Sequence, residues 1–324
     1  MREPVITIIT PIYNGLPFLK ECVASVLKQD FTAWEWLISD DGSTDGSREY
    51  LESLKDARIK IFLQPHNLGI FGNLNFLFRK ASCELSQILC QDDYFVGSTG
   101  LSTIINYWNN APADIGFVRF NHVELSESQT IRYQVSVAST VIRPDQSDLW
   151  FFVFGNIPGN LSNVSLRTKI VKEVGEFNQN LPFAGDFDFW IRAAKTVSMG
   201  VEKEVIVFVR RHKNVASNFL STNGELFTQH IEIYERLIES LSTRYSKTRL
   251  IDYFNYEICS FHYRTAIKSA VNGKFTYLKN FVQSQSVIIW PKFKQLLVCL
   301  PYALFNGNQK YTVKLAKEFI TPEV

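Results

Sequence analysis

The chain is expected to be an α/β protein, with a mostly parallel sheet flanked by helices and a helical C-terminal extension. Three observations predict this. Short β-branched runs alternate with amphipathic helical patterns over the first 120 residues. The runs are continuously apolar, as in strands covered on both faces, rather than alternating. From about residue 225, apolar residues recur at three- and four-residue steps, the spacing of one helical face.

Taken in order, "VITIIT" (5–10) is the first buried strand. "PFLKECVASVLKQ" (17–29) sets Leu19, Val23, Val26 and Leu27 on one helical face, with Pro17 near its start. "WEWLIS" (34–39) is a second strand, and "STDGSREYLESL" (43–54) opens a short helix with a Ser/Thr/Asp cap signal. "RIKIFLQ" (58–64), a helix near 70–82, "SQILCQ" (86–91), a helix near 99–109 and "IGFVRF" (115–120) continue the alternation. Strands separated by helices of this length form βαβ units, and ligands then bind beyond the carboxyl ends of the strands. Pro11, Asp40, Asp41, Asp92 and Asp93 occupy those ends. After residue 121 the pattern is mixed, with strand-like "VIVFVRR" (205–211) and a helix starting near Asp186. Two helical stretches, 225–241 and 249–273, lead into the tail.

Composition narrows the function. Of 324 residues, 46% are hydrophobic and 20% charged, which fits a globular chain with a large core. A net charge of +2 lacks the concentrated basic face that nucleic acid requires, so no nucleic-acid partner is expected. The five cysteines have no CxxC spacing and read as reduced core thiols. "MREPVITIIT" lacks the apolar core of a signal peptide, and no run of 18 apolar residues occurs. The chain is therefore read as cytoplasmic, or peripheral at the inner face of the cell membrane. Residues 286–324 hold five Lys and two Glu, a net of +3, beside an apolar stretch interrupted by Pro291 and Pro301. That tail has two readings, a surface that meets anionic lipid or a packing and homo-oligomer contact.

Four constellations carry candidate chemistry, each with a plain structural alternative. In "CQDDYF" (90–95), adjacent carboxylates repel unless a cation or separate donors hold them; Asp92 and Asp93 thus form a divalent-metal and diphosphate site or a solvated turn. Neighbouring strand residues point to opposite faces, so one of the pair is expected to meet the metal. In "AGDFDFWIRAA" (184–194), Asp186 is a general base or an N-cap, and Asp188 with Arg192 has the spacing of a helical ion pair. "VRRHKN" (209–214) gathers Arg210, Arg211 and His212 in a loop able to close over an anion, or on an ordinary basic surface. "PHNLGIFGNLN" (65–75) offers Asn67, Asn73 and Asn75 near a helix N-terminus that suits phosphate.

Together and in this order, "TPIYNG" (10–15), "SDDGSTDGS" (39–47), "NLGIFGNLN" (67–75), "QDDYF" (91–95), "GDFDFW" (185–190) and "RRHKNVAS" (210–217) resemble the family 2 glycosyltransferases, inverting enzymes of the Rossmann-like GT-A fold. The resemblance covers about the first 220 residues. It implies a GT-A domain over 1–222, with a nucleotide-binding half (1–120) and an acceptor half (121–222), before a helical region (223–324). It implies that Pro11, Tyr13 and Asp40 line the nucleotide-base pocket, with Asn67, Asn75 and Asp92 also on the nucleotide. Asp93 and His212 would hold Mn²⁺ or Mg²⁺, and Asp186 would deprotonate the acceptor hydroxyl. Asp41, Asp188, Arg192, Arg210 and Arg211 would support the site. The implied partners are a nucleotide-sugar donor, a UDP-sugar, and a saccharide or lipid-linked saccharide acceptor. Two positions depart from the common pattern: Cys90 stands where many relatives have Asp, and Gly185 where many have Glu. They keep open an alternative, a sugar-nucleotide-binding subunit of a polysaccharide-assembly complex with little transfer activity.

Overall fold

A computed structural model of the chain describes residues 3–126, 131–133, 140–212, 223–295, 297, 298 and 319. It divides into two compact units, Met1–Ser147 with Asn156–His212, and Asp148–Gly155 with Lys213–Val324.

The first unit is built on one sheet. Strands β1 (Ile6–Ile12), β2 (Trp34–Asp40), β3 (Ile59–Leu63) and β4 (Leu85–Ile88) alternate with helices α1 (Leu16–Leu27), α2 (Ser47–Glu52) and α3 (Gly69–Lys80). They are followed by β5 (Tyr94–Phe95), α4 (Gly100–Asn110), β6 (Ile115–Ser126), β7 (Ile131–Tyr133), β8 (Thr140–Ile142) and the start of α5 (Pro144–Phe154), whose residues from Asp148 on belong to the second unit. Then come β9 (Val164–Arg167), α6 (Lys169–Val174), α7 (Gly185–Ala194) and β10 (Ser198–Arg211). The strand order is β3-β2-β1-β4-β9-β6-β10-β5, with β7 on β6 and β8 on β10. The pairs β1–β2, β2–β3, β1–β4 and β6–β10 are parallel, whereas β9 runs antiparallel to both its neighbours.

Every residue of β1 and β2 is buried, which explains their unbroken apolar runs. Their side chains join α1 and α4 in a core that includes Ile8, Trp36, Leu19, Ile104 and Trp108. Strand β6 runs across the 120/121 boundary, so the two expected halves share one continuous strand.

In the second unit, α8 (Glu225–Leu241) has the span its sequence period predicts. The stretch 249–273 is not one helix. It comprises α9 (Lys247–Phe254), a π-turn segment (Asn255–Cys259) and α10 (Ser260–Val271), then α11 (Thr276–Gln283) follows. At the π segment, the Asn255 side chain donates to Ile251 O and Ile288 O and accepts from Trp290 N. An inserted residue with such a side chain anchors the following strand of chain, a common cause of π-bulges. A buried relay lies nearby: His230 Nδ1 is 3.1 Å from His262 Nε2, and His262 Nδ1 is 2.6 Å from the Tyr277 hydroxyl. Among the described residues, no helix is long and apolar enough to cross a membrane. Most of the 286–324 tail lies outside the described residues.

Candidate active site

The site begins where β1 and β2 end. Register pairs Ile12 with Asp40, and Asp41 N donates to Ile12 O to extend the ladder by one bond. Beyond it the two loops are stitched together: Asn14 N donates to Ser43 Oγ, and Thr44 N donates to Asn14 Oδ1. Asn14 adopts φ +50°, a left-handed conformation that Asn tolerates better than most residues. Asp45 Oδ2 accepts from Leu16 N at 2.9 Å, while its Oδ1 accepts from Ser47 N at 3.0 Å. One carboxylate thus caps the N-termini of α1 and α2 together. The expected local cap of the second helix proves to be a joint between two.

Gln91 grips the Tyr13 peptide from both sides, accepting from its N–H at 2.7 Å and donating to its carbonyl at 2.9 Å. Tyr13 itself remains 51% exposed, with an aromatic face on which a planar group can stack. Asp40 is fully buried. Its Oδ2 accepts from Arg48 Nε at 2.7 Å, Ser43 N at 3.1 Å and Gly42 N at 3.2 Å, while its Oδ1 is enclosed with no partner. A buried acceptor of that kind is costly until a donor reaches it, and an imino N–H of a nucleobase is such a donor.

Asp41 turns away from this point. Its Oδ1 accepts from Leu68 N at 2.7 Å, supporting the loop that enters α3, and burial raises its pKa. Asn67 acts on the same loop, accepting from Gly69 N at 2.8 Å. Asn75 departs from the expected nucleotide contact. It is 1% exposed, and its amide group donates to Phe177 O and accepts from Phe177 N, so its polar atoms tie α3 to the chain before α7. Asn73 is likewise internal, donating to Ser39 O.

The two aspartates lie in the turn between β4 and β5, and their partners send them apart. Asp93 is 3% exposed and both its oxygens are occupied, Oδ2 by Ser162 Oγ at 2.5 Å and Oδ1 by Arg210 N at 2.9 Å. Burial and the neighbouring Asp92 charge push its pKa well up. Asp92 instead faces His212, with Oδ2 3.1 Å from Nε2. The structure therefore sets Asp92, rather than the expected Asp93, beside His212. The His212 ring also packs on Phe18, with centroids 4.2 Å apart.

The two arginines before His212 are held within the protein. The Arg210 guanidinium donates to Asp92 O and pairs with Glu21, lying over the rings of Phe18 and Tyr94. Arg211 donates twice to Glu124 Oε1, at 3.0 and 2.7 Å. Both anchor the end of β10, unlike the anion-covering loop that the sequence offered. Lys213 and the rest of that loop lie outside the described residues.

Asp186 sits in the first turn of α7 and is half-buried. Its Oδ2 accepts from Asn156 Nδ2 at 2.8 Å; burial raises its pKa, against the pull of that hydrogen bond. A carboxylate so placed has greater proton affinity than one in water, as a base needs. Asp188 pairs with Arg192 at 2.8 Å, and Arg192 also donates to Val174 O and Glu176 O. That pair is structural. Gly185 has a physical cause: a Cβ there would stand 2.6 Å from Phe71 Cε2 and 2.9 Å from Asn178 O. The ring of Phe71 fills the space a side chain would need.

Sequence reasoning missed Gln91, Asn156 and Ser162. Only Gln91 carried a signal, lying inside the "CQDDYF" stretch; the other two meet their partners across 30 and 69 residues.

The exposed Tyr13, the Asp92–His212 pair and the half-buried Asp186 carboxylate are carried on a sheet of the GT-A glycosyltransferase fold. The chain belongs to glycosyl transferase family 2, whose signature matches residues 7–175. It is 25% identical over 323 residues to the GalNAc(5)-diNAcBac-PP-undecaprenol β-1,3-glucosyltransferase of Campylobacter jejuni, covering 97% of this chain and 99% of that one. An uncharacterized glycosyltransferase of Rickettsia felis is 25% identical over 227 residues, 68% of this chain and 36% of its own length. The chain thus spans about a third of that longer relative. Among solved structures, S. aureus TarS 1–349 in complex with UDP-GlcNAc shares the fold, with a TM-score of 0.64 and 17% identity over 98% of this chain and 91% of TarS 1–349. The mannosyltransferase PcManGT of Pyrobaculum calidifontis, in complex with GDP-Man and Mn²⁺, gives 0.55 and 16% over 99% and 86%.

Proposed function

We propose that this chain is an inverting transferase that moves a hexose from a UDP-sugar to a hydroxyl of a lipid-linked saccharide. Asp186 carries the reading. It takes the proton from the acceptor hydroxyl as that oxygen attacks the anomeric carbon; the bond from carbon to the diphosphate oxygen breaks, and the proton leaves Asp186 for solvent. A single in-line displacement inverts the anomeric configuration. Asn156 holds the receiving carboxylate in place. Tyr13 and Pro11 frame the base, and Asp40 Oδ1 accepts its N–H.

No group of three or more His, Cys, Asp and Glu suited to a metal occurs among the described residues. Two protein donors suffice where diphosphate oxygens complete the shell, and Asp92 Oδ2 with His212 Nε2 fits Mn²⁺ or Mg²⁺ in that way. A cation held there supplies neutralisation of the charge on the leaving diphosphate. Asp93 would act behind Asp92, keeping the loop in register. The lipid-linked acceptor is supported by the name of the Campylobacter relative and by exposed apolar side chains in the second unit, including Val271, Phe275, Val287 and Phe293. The chain would then work peripherally, at a membrane surface.

The test is a screen of UDP- and GDP-sugars with Mn²⁺ by thermal shift, followed by transfer assays on the hit with undecaprenol-linked saccharides. Asp186→Asn is expected to keep donor stabilisation and lose turnover by orders of magnitude. Near-normal transfer by that variant would remove the assigned base. No stabilisation by any nucleotide sugar would remove the donor assignment.

A further inference from the structure

Arg119 lies in the middle of β6, flanked across the ladders by Val164 of β9 and Val201 of β10. It is 6% exposed, yet its side chain makes no hydrogen bond or ion pair with any described residue. Its Nε is enclosed without a partner. A guanidinium brings five donors, and a buried one left unpaired is strongly unfavourable, so buried arginines are ordinarily held by carboxylates or carbonyls. Here the carboxylates of the site are committed elsewhere. Glu124 accepts from Arg211, Asp93 from Ser162 and Arg210, and Asp186 from Asn156.

The same face of β6 also holds an unused acceptor. Asn121 Oδ1, two residues along the strand, is enclosed without a partner, while its Nδ2 donates to Lys203 O at 2.8 Å. On the other face, the Asn163 amide donates to Phe120 O at 2.8 Å and lies 3.3 Å from His122 Nδ1. Burial, and then the Arg119 charge, push the pKa of His122 down to about 4, so the imidazole adds no second positive charge. An open guanidinium and an open amide oxygen on one face match a ligand that carries both an oxyanion and a hydroxyl group.

We propose that Arg119, with the amide oxygen of Asn121, forms a subsite for the anionic group of an acidic sugar, a phosphate or a carboxylate. The guanidinium donates to the anion and the amide accepts from a neighbouring hydroxyl. The assignment of this sugar to the acceptor rests on the transferase reading above, in which the donor diphosphate belongs at Asp92 and His212. The anion site itself stands apart from that reading.

Calorimetry on the full chain tests it, with glucose 1-phosphate, glucuronate, neutral glucose, and UDP with Mn²⁺ as separate probes. The wild type should bind at least one acidic sugar, and the tighter of the two names the anionic group. Arg119→Met should weaken that binding about 10- to 100-fold, the usual loss for a hydrogen-bonded charge, and Arg119→Lys should recover part of it. UDP binding should be unchanged. A parallel fall in UDP affinity would overturn the acceptor assignment, and equal binding of acidic sugars by Arg119→Met would overturn the subsite. So would failure of both acidic sugars to bind the wild type. Thermal unfolding without ligand gives a second measure. Methionine keeps the stem and removes an unpaired charge, so the melting temperature should hold or rise. A clear fall would make Arg119 a structural residue. Loss of the transferase reading would show separately, as absent UDP binding or transfer beside an intact acidic-sugar titration.

Discussion

Asn156→Leu isolates what positions Asp186, the proposed base. The Asn156 amide donates to Asp186 Oδ2 at 2.8 Å, favouring the ionised carboxylate while burial favours the protonated one. Leucine keeps a similar volume and removes the donor. A hydrogen bond to a charged group contributes about 1.5–3 kcal/mol, and the lower end applies to a half-buried carboxylate. At about 1.36 kcal/mol per pKa unit, the Asp186 pKa should rise by roughly one unit. The general base works ionised, so activity falls as pH drops through that pKa. The acid limb of kcat/KM should therefore move up by roughly one unit. Initial rates of nucleotide release from about pH 4 to 8 read it directly, with donor affinity as an unaffected control. A limb that stays in place while the plateau drops would confine Asn156 to packing, and a downward shift would contradict the electrostatic argument. The same physics has a stability sign. A carboxyl whose folded pKa is raised favours folding at low pH and loses that contribution as pH rises above 3.8, so Asp186→Asn should raise the melting temperature at neutral pH.

The remaining expectations follow from the same contacts. Asp92→Asn should weaken Mn²⁺-dependent UDP binding in calorimetry without much loss of stability. Asp93→Ala leaves Ser162 Oγ and Arg210 N without an acceptor, and should lower unfolding stability in urea by about 1–3 kcal/mol. Asp45→Ala removes the caps of two helices and should cost about 2 kcal/mol by the same measurement; a loss typical of one exposed side chain would deny the joint. In the second unit, burial lowers the pKa of His262 well below 6.5 and that of His230 to about 4. Their neutral forms favour folding above pH 6.5, and that contribution is lost as pH falls toward 4, so thermal stability should decline over this window. Replacing both by glutamine should flatten the decline.

Much of the fold was readable because both hydrophobic periods are local properties. The apolar runs at β1 and β2 and the helical stripe of α8 appear within a residue or two of their predicted places. The break between α9 and α10 was hidden, since its cause is an asparagine side chain reaching carbonyl groups 4 and 33 residues away. For the site, residue type and position marked Asp40, Asp92, Asp186 and His212, but not their states. Asp92 and Asp93 are chemically identical neighbours. Ser162, 69 residues downstream of Asp93, decides which one turns inward.

The sequence by itself determined the α/β alternation, the strand-end carboxylates and the family, because these depend on residue type at near neighbours along the chain. Tertiary structure alone decided that Asn75 is a clamp, that Arg210 and Arg211 are spent on anchoring β10, and that Phe71 excludes a side chain at Gly185. It alone left Asp40 Oδ1 and Arg119 Nε enclosed without partners. Whether a polar atom is satisfied depends on what the folded chain brings within about 3 Å of it, and no local pattern encodes that distance.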